Sequence, residues 1–144
     1  MAIISRILLP VAFSARCRGA VHNAEALARH FHAEVFLIHV VEPLIAASAS
    51  LESMAYSTAT ESMAERVERA RIQLETFFGG ALKDQTVTRV VVEGDPSREI
   101  VRYAAAQRID LILMPTHGYG PQRRLGNRSA TVRRTESDFG SWVF

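Results

Sequence analysis

The chain has 144 residues, 48% of them hydrophobic and 22% charged, which is the composition of an ordinary globular domain rather than a disordered or fibrous protein. No run of about 18 apolar residues occurs and the first ten residues lack a secretory cleavage pattern, so we expect a cytoplasmic protein without a membrane segment. A net charge of +2 excludes a strongly basic surface, and a single cysteine, Cys17, excludes an internal disulfide and is expected to be a structural thiol.

Four short apolar runs indicate buried β-strands. They occupy residues 3–11, 35–41, 87–93 and 109–114. Pro10 stops the first run and Pro43 follows the second, where proline cannot continue the hydrogen-bonded ladder. Such runs are typical of strands that are covered on both faces of a parallel sheet.

Three amphipathic helices separate these strands. Ser14 can cap the first helix, and residues 60–78 form the second until Gly79-Gly80 ends it. Asp95 caps the third. Because alternating strands and helices form right-handed parallel crossovers, we predict a single α/β domain over residues 1–144, a Rossmann-like three-layer α/β/α sandwich.

The loops after the four strands form the predicted ligand site. Parallel α/β sheets bind ligands at the carboxyl ends of their strands, where the order of the connections reverses. Here those ends are residues 10–14, 40–43, 93–96 and 115–120. The last loop contains Gly118 and Gly120, which let backbone amides approach an anion.

Four sequence blocks in these regions resemble successive blocks of the universal stress protein family. They are ILLPVAFS (residues 7–14), LIHVVEP (37–43), GDP (94–96) and DLILMPTHG (110–118). Their order and spacing follow the family along nearly the whole chain. The resemblance implies a five-stranded, mostly parallel α/β fold, homodimers through the last strand and, in one subgroup, an ATP site.

The resemblance also assigns a candidate adenine-nucleotide site, with ATP or AMP as the implied ligand. Its residues are Pro10, Val11, Ala12, Val40, Val41, Gly94, Pro115, Gly118, Gly120, Arg128 and Ser129. Pro115 and Arg128 stand where the ATP-binding subgroup has glycines, and Ala12 stands where the family offers an aspartate to the nucleoside. Since backbone donors and a buried hydrogen bond are lost, we expect nucleotide binding to be weaker by about tenfold or more.

The resemblance implies a hydrophobic helix after Ser129, which we expect to be short or frayed because Val132 is its only sizeable apolar residue. It then implies a last edge strand formed by Trp142, Val143 and Phe144, through which a homodimer would form. An exposed apolar edge of this kind invites pairing with a second subunit.

Outside the candidate nucleotide site, the residues whose side chains could carry chemistry form no recognisable catalytic or metal-binding arrangement. Three histidines lie on or just after the first helix, where we expect solvent exposure or helix capping rather than metal binding: His22, His30 and His32. His39 lies in the second strand and is typical of the family as a structural residue. Asp95 is most simply a helix cap.

Three functions stay open at this stage. The leading hypothesis is a non-enzymatic, homodimeric stress-response module with an altered nucleotide pocket. The second is an ATP-binding switch or slow ATP hydrolase in which Arg123, Arg124 or Arg128 replaces glycine amides as the phosphate ligand. The third is a nucleic-acid or acidic-partner surface made by the arginines near the C-terminus, Arg133 and Arg134 included; it ranks below the others because few aromatic residues interleave with them.

Overall fold

The computed structural model describes residues 4–13, 15–43, 61–78, 80–115 and 129–133, with residues 15, 16, 115 and 129–133 described by their backbone alone. Within these ranges the strands are β1 (Arg6–Pro10), β2 (Glu34–Val41), β3 (Val87–Glu93), β4 (Leu111–Pro115) and β5 (Ser129–Arg133). The helices are α1 (Ala15–Phe31), α2 (Met63–Thr76) and α3 (Pro96–Ala106). The predicted alternation of strands and helices is confirmed as far as β4.

The strands form one sheet in the order β3-β2-β1-β4-β5. Strand β1 pairs in parallel with both β2 and β4, and β2 pairs in parallel with β3. The chain therefore builds outward from β1 to β3 and then crosses back to β4. The reversal of direction lies between β1 and β4, and the predicted parallel α/β sheet is confirmed.

The sheet has a hydrophobic core on each face, and neighbouring residues of a strand alternate between the two. Leu9 and Leu37 belong to the core that α1 and α2 cover, whereas Leu8 and Ile38 belong to the core that α3 covers. All four side chains are fully buried. This two-sided burial explains why the strands read as continuous apolar runs.

Side chains cap two of the helices at their N-termini. Asp95 accepts a hydrogen bond from the Arg98 backbone N–H at 2.9 Å, which confirms the predicted cap of α3. At α2, the Ser62 backbone N–H donates to the Glu65 carboxylate at 2.7 Å, and this bond lowers the pKa of Glu65. Helix α2 ends at Thr76, earlier than the predicted glycine pair.

The fifth strand corrects the prediction for the C-terminal part of the chain. A short helix is expected after Ser129, but Ser129–Arg133 forms β5, antiparallel to β4. Within it, Thr131 and Val132 are β-branched and favour a strand, and Val132 alone could not supply the apolar face that a helix needs. Trp142, Val143 and Phe144, the predicted edge strand, lie outside the described residues.

Candidate functional site

The turns after β1, β2 and β3 lie at one edge of the sheet. The backbone N–H of Val11 donates to the Ile38 carbonyl at 2.9 Å, and that of Gly94 donates to the Val41 carbonyl at 3.1 Å. The parallel register of β1 with β4 places Pro115 at the same end. Four of the strands therefore end along one crevice, with its reversal point between β1 and β4, as such folds require for a ligand site.

The turn between β1 and α1 is held by contacts with His39 and Cys17, and the Ala12 side chain takes no part in them. A ring nitrogen of His39, Nδ1, lies 2.7 Å from the Val11 carbonyl oxygen, and the Phe13 ring packs on the His39 ring at 4.5 Å between centroids. The Ala12 backbone N–H donates to Cys17 Sγ at 3.3 Å. The Ala12 methyl group itself is exposed, so a side chain at this position would project into solvent beside the crevice.

These contacts give structural roles to two residues whose side chains could carry chemistry, Cys17 and His39. Cys17 is only 1% exposed and lies within the core, which agrees with a structural thiol. His39 positions the Val11 carbonyl through its ring, which agrees with its predicted structural role. Phe13 adopts a positive φ of 43°, unusual for a residue other than glycine, and its ring also contacts Phe77 at 5.9 Å.

An open depression of about 260 Å³ lies beside the end of β2. Its walls come from the strand end that includes Val40 and Val41, and from the facing side of α2 at Arg66, Arg69 and Gln73. Val40 is half-buried and Val41 is 5% exposed. Arg66 Nη1 donates to the Glu42 carbonyl at 2.8 Å, a contact that joins α2 to the strand end and that no local sequence pattern indicated.

The turn after β3 depends on the backbone of Gly94. Its φ is +139°, and a Cβ built on it would lie 3.0 Å from Cγ of Glu99. We expect Gly94→Ala to lower the free energy of unfolding by about 1–2 kcal/mol, because an L-residue is strained at this φ. Urea unfolding measures the change. Gly80→Ala is the matched control, since Gly80 has open space around it, and equal losses in both variants would contradict the role of the Gly94 backbone.

The fourth part of the candidate site is described only at its two ends. Pro115 is the last residue of β4 and lies opposite Ser129 in the antiparallel register. Ser129 therefore begins a strand and not a helix, which is a correction: it offers no helix N-terminus to a phosphate. Gly118, Gly120 and Arg128 lie outside the described residues, and their roles stay predictions.

The three histidines on or just after α1 lie away from this edge. His22, His30 and His32 are exposed on or just after α1, as expected. Among the residues that the structure describes, no group of three or more His, Cys, Asp or Glu side chains is placed to hold a metal ion. In the same part of the chain, no helix combines the length and the apolar character needed to cross a membrane.

The architecture defines the class of protein. It is an α/β protein with helices on both faces of a mainly parallel sheet and with a crevice at the reversal of strand order. The family model described as "Universal stress protein family" matches residues 4–135. This chain belongs to the universal stress protein family.

Solved structures with similar folds include other members of this family. The hypothetical protein MJ0577 is 25% identical, with 86% of this chain and 83% of that chain covered, at a TM-score of 0.63. The universal stress protein UspA from Lactobacillus plantarum is 21% identical, with 89% and 88% covered, at a TM-score of 0.54. A universal stress protein from Archaeoglobus fulgidus is 17% identical, with 78% and 75% covered, at a TM-score of 0.53. No curated protein matches the chain.

Proposed function

We propose that this chain is a non-enzymatic stress-response module that binds an adenine nucleotide, ATP or AMP, weakly at the carboxyl edge of its sheet. The observation that carries the proposal is the meeting of three strand ends at this edge, where the Val11 N–H donates to the Ile38 carbonyl and the Gly94 N–H donates to the Val41 carbonyl. These are positions to which the family resemblance assigns nucleotide contacts. The resemblance further implies a homodimer through Trp142, Val143 and Phe144.

The weakness of the proposed binding follows from the residues that replace the family's usual ones. Ala12 offers only a methyl group at an exposed position, so no side-chain oxygen is available there for a ribose hydroxyl. Pro115 has no backbone N–H to donate to a phosphate. Arg128 places a long side chain where the ATP-binding subgroup brings backbone close to the phosphates.

The absence of catalysis is proposed because three chemistry-bearing residues in the described part of the crevice, Asp95, His39 and Cys17, already have structural roles. Asp95 caps α3 through the Arg98 N–H. The His39 ring is bonded to the Val11 carbonyl oxygen, and the Cys17 thiol is buried in the core. None of these three groups is free to act as a nucleophile or general base without giving up a contact that shapes the fold.

Calorimetric titration with ATP tests the proposal on the wild-type protein and on the triple variant Ala12→Asp, Pro115→Gly, Arg128→Gly. The variant regains the carboxylate and the two glycines, so its affinity should rise by about tenfold or more. Ala26→Asp adds the same charge at an exposed position of α1 and should leave the affinity unchanged.

Two results would contradict the proposed function. Equal and tight binding by the wild type and the triple variant would show that the three replacements do not weaken the site. Release of inorganic phosphate by the wild type with Mg²⁺, abolished by Arg128→Gly alone, would instead establish the ATP hydrolase in which arginine binds the phosphates.

A further inference from the structure

Strand β3 forms one edge of the sheet and pairs with β2 alone. Helix α2 packs against its face, but no described strand lies along its outer side. An edge strand of seven residues presents a row of backbone groups that a further strand can pair with. The side chains along this edge determine which partner strand fits it.

The backbone direction of each residue in β3 follows from two hydrogen bonds at its ends. The Gly94 N–H donates to the Val41 carbonyl, and the Thr86 carbonyl accepts from the Val35 N–H. The even-numbered residues of β3 therefore point their backbone N–H and C=O groups toward β2. Successive residues of a strand point their backbone groups to opposite sides. The N–H and C=O groups that point outward are therefore those of Val87, Arg89, Val91 and Glu93.

Two of these outward-facing residues carry opposite charges at symmetric positions. Arg89 and Glu93 lie two residues to either side of Val91, and both side chains are exposed. Neither makes an ion pair or a hydrogen bond with another described side chain. A charged edge of one sign would repel a second copy, whereas this edge is complementary to itself.

We propose that β3 is a self-association surface whose partner is the β3 strand of a second copy of this chain, paired antiparallel about a two-fold axis at Val91. In this register Val91 faces Val91 of the partner subunit, and Arg89 faces Glu93 of the partner subunit in both directions. The Val91–Val91 pair and the two Arg89–Glu93 pairs are all hydrogen-bonded pairs of the antiparallel type, because each of these residues points its backbone N–H and C=O groups outward. An interface in which the same patch serves both subunits is the usual form of a two-fold dimer.

A second antiparallel register is possible for two β3 edges, and comparing the two shows that the charges determine which one forms. A two-fold axis at Val90 also pairs outward-facing residues, but it sets Arg89 against Val91 and Val87 against Glu93. Only the axis at Val91 matches both charges, and directly opposed unlike charges stabilise a strand pair whereas like charges destabilise it. The charges therefore select the register.

Charge reversal tests the surface in the full-length chain by sedimentation velocity. Arg89→Glu and Glu93→Arg each place two like-charged pairs across the axis, so each should weaken this association by about tenfold or more. The double variant Arg89→Glu, Glu93→Arg restores both pairs with the net charge unchanged and should associate like the wild type. Circular dichroism confirms that each variant is folded, as expected for exposed side chains.

A mixing experiment isolates this surface from a contact made through the C-terminal residues. An affinity-tagged Arg89→Glu chain should capture untagged Glu93→Arg about tenfold better than it captures untagged Arg89→Glu, since only the first mixture forms unlike pairs. Equal capture of both chains, or a double variant that behaves like the two single variants, would overturn the proposal whatever the outcome of the nucleotide titrations.

Discussion

Truncation of Leu9 to alanine is expected to lower the free energy of unfolding by about 2–5 kcal/mol. Leu9 is fully buried in β1, the central strand of the sheet, and its side chain lies in the core under α1 and α2. The variant loses the transfer free energy of the removed atoms and leaves a cavity that tightly packed neighbours cannot fill. Urea unfolding followed by far-UV circular dichroism measures the change.

The control for this prediction is a similar truncation at a solvent-facing position. Ile72 on α2 is 55% exposed, so Ile72→Ala should change stability by about 0.5 kcal/mol or less. If the two variants lost similar amounts, Leu9 would not occupy a packed interior. An unchanged slope of the unfolding free energy against urea would show that the denatured state is the same in both.

Replacement of Asp110 by alanine is expected to cost about 2–3 kcal/mol, because it removes the carboxylate that joins the beginnings of β1 and β4. Asp110 Oδ2 accepts hydrogen bonds from the backbone N–H groups of Ser5 and Arg6, both at 2.9 Å. The Asp110 N–H in turn donates to the Arg6 carbonyl at 3.0 Å. Thermal and urea unfolding of the variant measure the loss.

Two further variants separate this carboxylate from a general effect of charge. Asp110→Asn keeps an acceptor oxygen and should lose only about 1 kcal/mol, since the bonds are no longer charge-assisted. Asp84→Ala removes an exposed aspartate in the loop before β3 and should change stability by about 0.5 kcal/mol or less. If Asp110→Ala lost as little stability as Asp84→Ala, the Asp110 carboxylate would not stabilise the contact between β1 and β4.

The parallel part of the fold could be predicted because burial on both faces leaves a strong local signal. The residues of β1, β2 and β4 are almost all apolar, and no solvent-facing alternation obscures them. The cap of α3 was equally local, since Asp95 and Pro96 are adjacent to the helix that they begin. The predicted start of α2 at residue 60 is three residues too early, although Ser62 and Glu65 have the spacing of a capping box that marks the true start.

The features that sequence reasoning missed depend on contacts between distant residues. The antiparallel β5 was missed because the family resemblance suggested a helix and the five-residue segment has no strong period of its own. The bond between Arg66 and the Glu42 carbonyl joins residues that are far apart in sequence and has no local pattern. The positive φ of Phe13 likewise follows from packing on His39 and Phe77 and not from its residue type.

The pairing of β5 with β4 has a consequence for how this family member can change. Pro115 and Ser129 are opposed, so the connection between β4 and β5 has its two ends at paired residues, whose Cα atoms are about 4.5–5.5 Å apart in such pairs. A segment anchored in this way can gain or lose residues cheaply, because doubling its length adds only about 0.6 kcal/mol of closure entropy. Because Pro115 and Ser129 are fixed by the pairing of β4 with β5, residues inserted between them are expected to leave that strand pair intact.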